Sequence, residues 1–147
     1  MSDYRFVRLG PGERARARQL FTLMAEVFEE PRDELPDAYL DSLLNRRDFW
    51  AAAALSGESV VGGITAHTLP MTRSAKSELF VYDIAVHAAH QRRGVGRLLL
   101  EQLRAAATAV GISEAFVAAD NEDQHALDFY RALGGTGAAV TIFSFGD

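Results

Sequence analysis

The sequence contains no cysteine, which excludes a disulfide framework, a thiolate metal site and a cysteine nucleophile. No run approaches the roughly 20 apolar residues that cross a bilayer. The start, Met1-Ser2-Asp3-Tyr4-Arg5, lacks the apolar stretch of a secretory signal. A cytoplasmic location without membrane attachment is expected. Basic residues are in deficit: 15 Lys and Arg against 20 Asp and Glu give a net charge of −5, which disfavours a surface that tracks nucleic-acid phosphates. The four histidines, His67, His87, His90 and His125, show no metal-ligand spacing, so no metal is expected. What is present is a chain of 147 residues, 48% apolar and 24% charged, which suits one compact domain over residues 1–147.

Hydrophobic periodicity orders the elements. Tyr4–Leu9 alternates as a strand, and Glu13–Phe28 carries Leu20, Leu23, Met24, Val27 and Phe28 at helical spacing. A short helix is predicted over Asp37–Asn45. Phe49–Leu55 and Val60–Leu69 flank Ser56-Gly57-Glu58 as a hairpin. Leu79–Val86 is nearly all apolar, as a strand covered on both faces would be. A helix follows over Gly94–Val110, then a strand over Ala115–Ala119, a helix over Asp123–Leu133 and a last strand over Val140–Phe145 that closes the sheet.

The join between the apolar strand and the next helix is the most informative segment. Gln91-Arg92-Arg93-Gly94-Val95-Gly96-Arg97 combines a helix start, whose unpaired N–H groups and dipole favour an anion, with two glycines that let a bulky anion approach the backbone. Arg92, Arg93 and Arg97 add full charges. The segment reads as a pyrophosphate cradle. It is not a dinucleotide fingerprint, because Leu99 stands where the third glycine belongs, and the chain has no Gly-Lys-Ser/Thr of a P-loop.

Asp83 lies mid-strand among Phe80, Val81, Tyr82, Ile84, Ala85 and Val86. Lost hydration there would raise its pKa and make it a better proton acceptor near neutral pH. Alternatively it is pinned by neighbouring backbone donors or paired with an arginine. Asp120-Asn121-Glu122-Asp123 follows a strand end, where ligand sites of open α/β sheets gather. Acidic residues at a helix start also stabilise its dipole without further purpose. Three carboxylates there would suit a substrate bearing several ammonium groups. Tyr130 falls on the apolar stripe of its helix.

Gln91 to Gly96 resembles the acetyl-CoA signature of the GNAT-type N-acetyltransferases. The predicted element order, β-α-α-β-β-β-α-β-α-β, matches that fold over nearly the whole chain: an α/β architecture with a mixed central sheet of about six to seven strands flanked by about four helices. The resemblance implies that Leu79–Val86 and Ala115–Ala119 splay apart to admit the pantetheine arm. It further implies that Ile84, Ala85 and Val86 pair with the pantetheine amides and that Gln91, Arg92, Arg93, Gly94, Val95, Gly96 and Arg97 hold the pyrophosphate. Tyr130, within Ala126–Gly134, would attend the departing sulfur.

Ser77–Val86, Phe116–Asp120 leading to Ala126–Tyr130, Phe49–Ala52 and Val60–Gly63 with Leu69-Pro70 are similar to the gentamicin-type aminoglycoside 3-N-acetyltransferases. That likeness implies an antibiotic-resistance enzyme in which Asp83 helps deprotonate the acceptor amine. Asp120, Glu122 and Asp123 would recruit the amino sugar, and acetyl would move by direct attack in a ternary complex. His125 stands where that family often has proline, Leu133-Gly134-Gly135 lacks the usual apolar residue, and the C-terminal tail is short. Acetylation of a polyamine, another small amine or a peptide is the alternative within the class. A non-catalytic acyl-CoA sensor is the alternative outside it. Such a fold also admits a homodimer, with no interface located by the sequence.

Overall fold

The computed structural model describes residues 3–146. The chain divides into two compact units, Met1–Val117 and Ala118–Asp147, taken here one at a time. The first holds strands β1 (Arg5–Arg8), β2 (Phe49–Ser56), β3 (Ser59–Pro70), β4 (Ser77–Val86) and β5 (Glu114–Val117). Its helices are α1 (Arg14–Val27), α2 (Asp37–Leu44) and α3 (Val95–Ala109). The strands lie in sequence order in one sheet, antiparallel except for the parallel β4–β5 pair.

Local chemistry sets the turns. Gly57 and Glu58 connect the Ser56–Ser59 pair, and Gly57 has φ +59, matching the type II′ hairpin, whose first central residue needs the left-handed region. β2 is buried along its length except at Ser56, with four alanines at its centre. Such small side chains let helices close in on both faces.

Two adjacent glycines on β3 show those faces directly. A Cβ on Gly63 would lie 2.1 Å from Leu20 Cδ1 of α1, whereas one on Gly62 would lie 3.1 Å from Val95 Cγ1 of α3. Successive strand residues point to opposite faces, so α1 and α3 pack on opposite sides. On the α1 side, Ala17, Leu20, Met24 and Leu44 meet Phe49, Ala51, Ala53, Leu55 and Ala85. From α3, Val95, Leu99, Leu100, Leu103 and Ala107 are buried; Val110, the expected last residue of that helix, follows the last helical turn and is exposed.

In the second unit, α4 (Gln124–Ala132) starts at Asp123, whose side chain accepts the Ala126 amide at 3.1 Å. Residues 135–146 form no regular element. The strand expected over Val140–Phe145 is therefore a coil, and among the described residues the sheet has five strands rather than six or seven. Alternation makes a segment suitable for a sheet, but a strand exists only with a partner for its backbone groups. Val140, Ile142, Phe143 and Phe145 stay 71–96% exposed.

Among the described residues no helix is long and apolar enough to cross a membrane, and no group of three or more His, Asp or Glu side chains could hold a metal ion.

Candidate functional site

The two edges of β4 are used differently. On one edge, β4 pairs with β3 from Pro70–Ser77 to Gly62–Val86. On the other, β5 pairs only with Glu78 through Val81, ending at Val81–Val117. From Tyr82 to Val86, that edge of β4 has no strand beside it among the described residues of this unit. Ile84, Ala85 and Val86 all lie on this stretch. Backbone donors and acceptors in such an edge are a template for an extended ligand with its own amides.

The split begins at a bulge. Thr65 pairs with Asp83 and Ala66 with Val81, so Tyr82 is the extra residue. Bulges bend a strand and re-aim side chains next to functional sites. Here Tyr82 turns outward, 60% exposed, with its ring edge-on to His67 and Phe80. Full coverage of β4 on both faces, expected from its apolar run, thus fails at this residue.

Asp83, directly after the bulge, is partly buried beside the buried Thr65. Burial pushes its carboxyl above the ordinary carboxylate range, and the charge of Glu30 pushes it the same way. No arginine pairs with it among the described ion pairs, so the alternative of an arginine-held structural carboxylate does not hold. Glu30 had no sequence signal: it follows α1, and only the fold places its charge near β4.

β4 leads through a 3₁₀ turn, Ala88–His90, to the glycine loop. Gln91 donates from Nε2 to the Val86 carbonyl at 3.1 Å, folding the loop back on the strand end. Gly94 precedes α3 with φ +82, and Arg92 has φ +63. The left-handed region costs a residue bearing a Cβ about 1–2 kcal/mol. Strain of this kind collects at ligand sites.

α3 starts with no side-chain cap and no acidic residue in its first turn, leaving its N–H groups and dipole available to an anion. A Cβ at Gly94 would meet nothing within 4 Å, so the approach to the backbone is open. Arg92 and Arg93 are exposed and enter none of the described ion pairs. Arg97 differs, since its guanidinium pairs with Glu101 one turn along α3. These residues fit a pyrophosphate, with Arg92 and Arg93 as the available charges.

In the second unit, Asp120, Glu122 and Asp123 are exposed. Asp120 accepts the Glu122 amide at 2.8 Å, and Asp123 caps α4. Both therefore have the local structural task that their position before a helix suggested. Tyr130 is partly buried on α4, edge-on to Phe129 at 5.2 Å.

No curated protein sequence matches the chain. Two aminoglycoside acetyltransferases from uncultured soil metagenomic samples share its structure. One, solved in complex with sisomicin, has a TM-score of 0.91 and 32% identity over 98% of this chain and 95% of its own. The other has a TM-score of 0.93 and 33% identity over 100% and 99%. A ribosomal-protein-alanine N-acetyltransferase from Brucella melitensis shares the fold, with a TM-score of 0.76 and 20% identity over 97% and 99%. Residues 17–134 match the family described as Acetyltransferase (GNAT). With most of its length matched and its α/β architecture in common, the chain belongs to the GNAT acetyltransferases, enzymes that draw their acyl group from acetyl-CoA.

Proposed function

We propose that the protein transfers acetyl from acetyl-CoA to the 3-amino group of an aminoglycoside, by direct attack in a ternary complex. The observation that carries the acceptor class is the 32–33% identity to aminoglycoside acetyltransferases, one of them in complex with sisomicin. The net charge of −5 suits a polycationic acceptor. Attack at the 3-amino position rests on the likeness of Ser77–Val86 and Phe116–Tyr130 to the gentamicin-type enzymes. We take residues 1–147 as one catalytic domain, since the family match runs across both units.

In this reading, the β4 edge at Ile84, Ala85 and Val86 receives the pantetheine amides. Gln91 to Arg97 receives the pyrophosphate, with Arg92 and Arg93 supplying charge and the start of α3 supplying N–H donors. The amine must be neutral to attack, so Asp83 takes a proton from it, directly or through water. A raised carboxyl pKa makes it a better acceptor near neutral pH. The nitrogen–carbonyl bond forms, the carbon–sulfur bond breaks, the nitrogen gives up its second proton to water, and coenzyme A leaves as thiolate. Tyr130 is assigned to protonate or hydrogen-bond that sulfur. A thiolate with a pKa of about 8.5 leaves readily, so this help is modest. Asp120, Glu122 and Asp123 are assigned to the ammonium groups of the acceptor alongside their structural bonds.

The test is coenzyme A release with gentamicin, sisomicin, spermidine and a lysine peptide, followed by NMR of the product. Acetylation of the amino sugars at the 3-amino group is expected. Turnover of spermidine or peptide alone would reject the acceptor, and acetyl-CoA binding without turnover of any amine would favour a sensor.

We also propose a homodimer, in which a second copy would cover Val140, Ile142, Phe143 and Phe145, exposed apolar side chains of the second unit. Light scattering should give twice the chain mass, and deletion of residues 139–147 should return it to one; a monomeric full chain would refute this.

A further inference from the structure

One end of the sheet gathers β1 to β4: Arg5 pairs with Leu55, Leu55 with Val60, and Gly62 with Val86. The chain entering β1 and the chain leaving β4 therefore emerge at the same end. There Tyr4 meets His90 across 86 positions of sequence. The phenolic oxygen lies 2.9 Å from His90 Nδ1, and the rings meet edge-on with centroids 5.7 Å apart.

His90 is the last residue of the 3₁₀ turn, and Gln91 begins the glycine loop. Other hydrogen bonds hold the turn as well, one of them to β3 ahead of His90 and two within the turn itself. The His87 amide donates to Val61 O at 2.8 Å, His87 Nδ1 accepts the Ala89 amide at 3.1 Å, and the His90 amide donates to His87 O at 2.8 Å. His87 also stands edge-on to His90. Beyond His90 the loop is exposed from Gln91 to Gly94 and carries Arg92 in the left-handed region. A strained, exposed loop keeps one conformation only where its ends are held.

We propose that Tyr4 is a positioning residue for coenzyme A. Through His90 it fixes the start of the glycine loop against the end of the sheet, so that Arg92, Arg93 and the N-terminus of α3 stay aimed at the pyrophosphate. The inference rests on the reading of Gln91 to Arg97 as the pyrophosphate loop. Tyr4 acts through His90, so its loss should act on binding and leave the chemical step alone.

Tyr4→Phe keeps the edge-on ring and removes the hydroxyl. The dissociation constant of coenzyme A, measured by calorimetry, should rise about two- to tenfold, the range of one net hydrogen bond. The kcat at saturating acetyl-CoA should stay within about twofold. In the ligand-free protein, amide NMR signals of Gln91–Gly94 should move while those of Leu79–Val81 stay in place. Tyr39→Phe, on the exposed face of α2, should bind as wild type.

Unchanged coenzyme A affinity in Tyr4→Phe, or a fall in kcat without a change in affinity, would overturn the proposal. The paired change Arg92→Ala with Arg93→Ala separates the two layers. If it weakens binding while Tyr4→Phe does not, the loop reading stands and the positioning role falls. If it leaves binding intact, both fall.

Discussion

The substitution Asp83→Asn keeps the shape of the side chain and removes its capacity to accept a proton, and it should move activity and stability in opposite directions. A positioned general base contributes about 10²–10⁴-fold, or roughly 3–5 kcal/mol of barrier. Asp83 is only partly buried, so water can reach the same amine and take over part of the task. The lower end, about 10²-fold in kcat/KM for the amino sugar, is the expected loss. Coenzyme A affinity should stay within about twofold, since the cradle residues are untouched.

Stability follows from the direction of the pKa shift. The folded carboxyl holds its proton more tightly than the unfolded one, because burial and then Glu30 disfavour its charge. Its stabilising contribution is complete below the ordinary carboxylate pKa and is lost as pH rises through the raised folded value. Asparagine does not ionise and escapes that loss. The Tm of Asp83→Asn relative to wild type should therefore be higher at about pH 7 than at about pH 4. The assays are coenzyme A release, calorimetry and thermal unfolding at both pH values. Turnover within about threefold of wild type, or a Tm difference that shrinks toward neutral pH, would refute the reasoning.

Glu30→Gln removes the charge that adds to burial at Asp83, so the acid limb of the kcat/KM profile should move to lower pH; an unmoved or upward-shifted limb would count against the pairing. Gly63→Ala places a Cβ 2.1 Å from Leu20 Cδ1 and 2.9 Å from the Ala52 carbonyl. It should cost about 1–3 kcal/mol, seen as a Tm lower by roughly 2–12 °C. Adding Leu20→Ala removes the first clash, so the two losses should fall short of additive in a double-mutant cycle. Tyr130→Phe should lower kcat by less than tenfold with acetyl-CoA, because the thiolate already leaves readily; a loss as large as that of Asp83→Asn would assign it a larger part.

The sequence signals that proved sufficient were those whose cause is local. Gly94 before α3, the spacing of Leu20, Leu23 and Met24 on α1, and Gly57 in its hairpin each satisfy a requirement met within a few residues of chain. Element ends accordingly fell close to their expected places. The strand expected at Val140–Phe145 failed because strand formation needs a partner that alternation does not supply. The bulge at Tyr82 was hidden in an unbroken apolar run, since an extra residue in one strand is visible only against the register of the other. Glu30 near Asp83 and Tyr4 at His90 are products of chain path, separated by 53 and 86 positions, and no spacing rule points to them. Arg97 looked equivalent to Arg92 and Arg93, yet the helical i,i+4 relation gives it Glu101 as a partner.

Acetyl transfer by this protein requires coenzyme A to bind along Tyr82–Val86 of β4, the stretch beyond the β5 pairing, and at the uncapped start of α3. The direct measurement is a backbone amide NMR titration of the protein with coenzyme A. Saturable shifts concentrated at Ile84–Val86 and Arg92–Arg97 are predicted, with the hairpin at Gly57 unaffected. Binding whose shifts avoid both segments, or no saturable binding, would contradict it.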